Sequence, residues 1–68
     1  MSDIDFNELK ETVIQELVRH EMRPTELLDL LGNQFPDAAI KDVVLRLLRE
    51  GRLEMTANRH LHVLPEAA

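Results

Sequence analysis

Cysteine, tryptophan and tyrosine are absent from this chain, and Phe6 and Phe35 are its only aromatic residues. Without cysteine there can be no disulfide, no thiolate metal ligand and no thiol nucleophile, and the usage suits a reducing, cytoplasmic compartment. With so few aromatics, any core has to be built from Leu, Ile and Val. There are only two glycines, Gly32 and Gly51, too few for a glycine-rich loop that cradles phosphates. No apolar run approaches the roughly 20 residues of a membrane-spanning helix. The amino terminus, MSDIDFNELK, is acidic where a secretory leader begins basic. These absences favour a cytoplasmic protein that neither spans nor anchors to a membrane.

What remains is ordinary for a globular chain: 68 residues, 44% hydrophobic and 31% charged, with a net charge of -5. A chain this short buries only about 60% of the surface that it exposes when unfolded, so it forms one domain at most, residues 1–68, and a homodimer is a natural way to gain stability. The net charge opposes nucleic-acid binding, which draws most of its affinity from Lys and Arg on phosphates. The charge is uneven, however. Residues 1–39 carry Lys10, Arg19 and Arg23 against nine acids, whereas residues 40–63 carry Lys41, Arg46, Arg49, Arg52 and Arg59 against Asp42, Glu50 and Glu54. An anionic partner would have to meet the carboxyl-terminal third.

Hydrophobic periodicity predicts three helices and a hairpin. From Phe6, the spacing of Leu9, Val13, Ile14, Leu17 and Val18 predicts a helix over 5–21 with one buried stripe. Asp5 followed by Glu8 marks its start, and the residue before Pro24 its end. A second, short helix over 25–32 carries Leu27, Leu28, Leu30 and Leu31, with Gly32 suited to a left-handed closing residue. Pro36 and Asp37 open a third helix, 36–50, whose stripe is Ile40, Val43, Val44, Leu47 and Leu48 and whose stop is Gly51. The period then falls to two: Leu53 and Met55, then Leu61 and Val63, form the inner face of a hairpin over 52–64 with Asn58 near its tip. Residues 65–68 read as a tail.

Helix, short helix, helix with a glycine stop and hairpin is the order of a winged helix-turn-helix. The stretch RPTELLDLLGNQFPDAAIKDVVLRLLREGRLEMTANRHLHVL resembles that superfamily, most closely in VVLRLLREGRLEM. The resemblance implies an α+β, mostly helical fold in which the third helix reads a DNA major groove and the wing touches the backbone. On this sequence it would place Lys41, Arg46 and Arg49 from the helix, and Asn58 and Arg59 from the wing, against double-stranded DNA. The sequence departs from that pattern at Leu45, apolar on the reading face, and at Asp42, whose carboxylate would repel phosphate.

Two functions therefore follow, the first the main reading and the second its alternative. One is a small DNA-binding transcriptional regulator, acting alone or as a homodimer, that uses the third helix and the wing. The other is a protein-interaction or dimerisation module anchored by Leu45 and Leu48, or by the acidic first helix with Glu8, Glu11 and Glu16. His60 and His62 share a strand face, a spacing that can hold zinc with Glu54 as a further ligand, but solvated histidines are the simpler reading, and no metal or other cofactor is expected. With no nucleophile set beside a base, neither catalysis nor a small-molecule substrate is expected.

Overall fold

Asp5 stands in extended backbone at the head of the first helix, and its carboxylate accepts the N–H groups of Asn7 and Glu8 at 3.0 and 3.2 Å. Two of the donors that every helix start leaves unpaired are thereby satisfied. The structure is a computed structural model that describes residues 5–65, so the expected tail 65–68 lies outside them except for Pro65. Helix α1 (Phe6–Arg19) buries Leu9, Val13 and Leu17, one residue per turn. The stripe is narrower than the sequence suggests: Ile14 is half-buried and Val18 is 67% exposed.

Helix α1 ends two residues before the expected limit. His20 is already extended, and the Met22 carbonyl accepts the Leu61 N–H at 2.7 Å, an antiparallel bridge to the hairpin. Pairing with a strand requires extended backbone, so this long-range contact ends the helix before Pro24 would.

Helix α2 (Pro24–Leu31) has proline in its first turn, and Glu26 accepts the Arg23 N–H at 2.9 Å. This is half of a capping box, because an arginine side chain has no acceptor with which to complete it. Leu27 and Leu31 are buried. Gly32 corrects an expectation: its φ of -62° is right-handed. A β-carbon there would stand 2.7 Å from the Leu28 carbonyl oxygen, so glycine serves a close approach and not a left-handed turn.

Helix α3 (Asp37–Arg49) buries Ala39, Ile40, Val43, Val44 and Leu47. Gly51, at φ +78°, turns the chain in left-handed backbone. The Gly51 N–H donates to Leu48 and the Arg52 N–H to Leu47, at 3.2 and 2.9 Å, a Schellman closure. Strand β1 (Leu53–Met55) then pairs antiparallel with β2 (Leu61–Val63), with Leu53 opposite Val63 and Met55 opposite Leu61. Met22 flanks the other edge of β2, so the hairpin is tied to the α1–α2 connection.

Of the four residues expected on the inner face, Leu53 and Leu61 are buried, Val63 is half-buried and Met55 is 45% exposed. The three helices and the hairpin close over one apolar core, and no described polar side chain is buried within it. Three helices followed by a two-stranded antiparallel hairpin make the α+β, mostly helical architecture expected from the sequence.

Candidate functional site

Positions 41, 45 and 48 of α3 fall on one flank of the helix, and positions 42 and 46 on the other, because a helix turns about 100° per residue. The first flank borders a groove of about 450 Å³ between α2, α3 and the start of the hairpin. Its walls are Leu28, Val44, Leu45, Leu48 and Met55, and its rim holds Pro24, Thr25 and Lys41. Leu45, 55% exposed, and Met55 supply much of the apolar surface open to solvent here.

A second hollow, of about 330 Å³, lies between the hairpin loop and the start of α2. Asn58 and Arg59 line it with Arg23, and Pro24 and Thr25 line both hollows, so the two adjoin and together form a trough. The loop geometry explains how Arg59 is presented. Thr56 N–H donates to the His60 carbonyl at 2.8 Å and Arg59 N–H to the Thr56 carbonyl at 2.9 Å. The His60 N–H donates to Thr56 Oγ1 at 3.1 Å. These bonds hold Arg59 at φ +63°, a conformation that residues other than glycine, asparagine and aspartate seldom adopt.

The candidate residues thus divide. Lys41, Leu45 and Leu48 border the groove, and Asn58 and Arg59 the adjoining hollow. Arg46 is on the other flank. Its Nε is 3.3 Å from Asp42 Oδ2, one turn back, and its guanidinium carbon lies 5.8 Å from the centre of the Phe6 ring. Both partners are substantially exposed, so this pair contributes a few tenths of a kcal/mol. Nearby, Lys10 meets Glu50 at 3.8 Å. Arg49 is exposed and lines neither hollow. Among the described residues, Lys41, Arg49 and Arg59 take part in no ion pair, unlike Lys10, Arg46 and His62.

Sequence reasoning missed Arg23, Pro24, Thr25, Leu28 and Met55 as parts of this surface. One signal was present: α2 has four leucines in eight residues, twice what its single buried row, Leu27 and Leu31, takes up. On the opposite side, His62 Nδ1 lies 2.6 Å from Glu21 Oε2, an ion pair when the ring is protonated. No cluster of three metal-ligating side chains occurs among the described residues, and no helix there is long and apolar enough to cross a membrane.

The order α1, extended Met22, α2, α3 and hairpin is compatible in topology with a winged helix-turn-helix-like fold, and the architecture is consistent with a small binding module of that type. Comparison of the chain with models of protein families, with curated proteins and with solved structures found no match.

Proposed function

We propose that this chain is a non-catalytic protein-binding module whose ligand surface is the face shared by α2, α3 and the hairpin. One observation carries the reading: the flank of α3 that borders the trough presents Leu45 and Leu48, which join Leu28, Val44 and Met55 in an apolar groove. Concave apolar surface with a polar rim suits side chains of another polypeptide. DNA offers little to fill it beyond thymine methyl groups.

A second reading, a DNA-binding regulator, is favoured by a different observation. Lys41, Arg49, Asn58 and Arg59 are exposed, and the three cations are in no ion pair among the described residues. Salt dependence separates the two. With three or four phosphates neutralised at a slope of about -0.9 each, affinity for duplex DNA would fall roughly 40- to 150-fold between 50 and 200 mM salt. Amide spectra of the labelled chain, titrated with non-specific duplex at low salt, test this. Protein binding expects no shifts clustered at 41–49 and 58–60; salt-sensitive shifts confined to those residues would overturn it in favour of DNA.

A further inference from the structure

The chain has thirteen acidic residues against eight Lys and Arg, yet no aspartate or glutamate lines either hollow among the described residues. Arg23, Lys41 and Arg59 do. Of the acids adjacent in sequence to lining residues, Glu26 accepts the Arg23 backbone N–H and Asp42 pairs with Arg46 on the far flank, while Asp29 and Glu54, next to Leu28 and Met55, line neither hollow. The lining of the trough is thus free of acid, apolar in the groove and cationic at Lys41, Arg23 and Arg59.

Resting on the reading of this face as protein-binding, we infer that the trough receives a short, acidic, amphipathic segment of a partner protein. Apolar side chains of the segment seat against Leu28, Leu45, Leu48 and Met55, and its carboxylates meet Lys41 at one edge and Arg23 with Arg59 at the other. The apolar anchors provide affinity because they leave water completely, whereas the rim charges select the partner and guide its approach. The same charges disfavour a second copy packed face to face. That arrangement would bring two sets of three cations into one interface whose lining holds no carboxylate.

The test is selection of displayed random 16-residue peptides on the immobilised full chain, with counter-selection on Leu45→Glu. Leu45 is exposed, and circular dichroism of the variant checks that its fold is intact. Peptides retained by the native chain should combine apolar residues at regular spacing with flanking Asp or Glu. Fluorescence anisotropy of the consensus peptide should show at least tenfold weaker binding to Leu45→Glu and to the Lys41→Glu/Arg59→Glu double variant. Arg19→Glu, on α1 and outside the trough, should bind as the native chain does.

Equal binding of a charge-reversed peptide, with Lys for each Asp and Glu, would overturn the acidic preference and leave the protein-binding reading standing. Failure to select any peptide that depends on Leu45 would overturn both. Displacement of the peptide by non-specific duplex at 150 mM salt would make DNA the occupant. A mass that doubles with concentration in the native chain but not in Leu45→Glu would make it a second copy.

Discussion

Replacing Arg59 with glycine should stabilise the fold while weakening whatever binds at the hairpin loop. Arg59 is held at φ +63° by the bonds that close the loop, Thr56 N–H to the His60 carbonyl and Arg59 N–H to the Thr56 carbonyl. Left-handed backbone costs an L-residue with a bulky side chain about 1–2 kcal/mol relative to its ordinary conformations. Glycine removes that cost but gives the unfolded chain more freedom, which returns about 0.4–1 kcal/mol. The net gain is about 0.5–1 kcal/mol, or roughly 2–8 °C in Tm for a domain of this size. Urea and thermal melts followed by circular dichroism measure it, and the urea slope should not change. Arg59→Asn should recover part of the gain, and Arg59→Val should lose stability because a β-branched residue fits left-handed backbone worst. In the binding assay, Arg59→Gly should instead lose affinity with the cation. Gain in one and loss in the other would separate presentation of the charge from support of the fold. A less stable Arg59→Gly, or an Arg59→Val that melts with the native chain, would refute the reasoning.

Three other perturbations test the packing. Leu47→Ala empties a fully buried position in α3 and should cost about 2–5 kcal/mol, close to the whole stability of a domain this small, so its far-ultraviolet spectrum at 25 °C should be largely that of an unfolded chain. Gly51→Ala meets no atom within 4 Å, so its cost of about 1 kcal/mol is conformational only and should lower the urea midpoint without altering the slope. Asp42→Asn removes the partner of Arg46 on the exposed flank of α3; a loss of no more than about 0.5 kcal/mol is expected, smaller still in high salt, with peptide affinity unchanged.

The apolar part of the surface is made of side chains left over after the core was filled. Val18, Leu30, Leu45 and Met55 all read as apolar in the sequence, and all are exposed. Periodicity alone gives them no separate status, because a stripe of leucines has the same spacing whether each member is covered or not. Leu45 could be singled out beforehand, since it lies outside the buried row of α3. Met55 could not: strand alternation assigned it to the inner face, and only its position beside α2 and α3 made it a wall of the groove.

Local physical chemistry along the chain determined the three helices, the glycine stop after α3 and the two-stranded hairpin. Each depends on neighbours within a few residues: the Asp5 cap, the prolines, the change of period at Gly51. Tertiary structure alone decided that Met22 joins the sheet and shortens α1, that Arg46 of α3 lies over the Phe6 ring of α1, and that Arg59 lines a hollow with Arg23. Those outcomes pair residues distant in sequence, or choose between two flanks of one helix. Such choices are made by whichever elements pack against them, and a one-dimensional pattern does not carry that information.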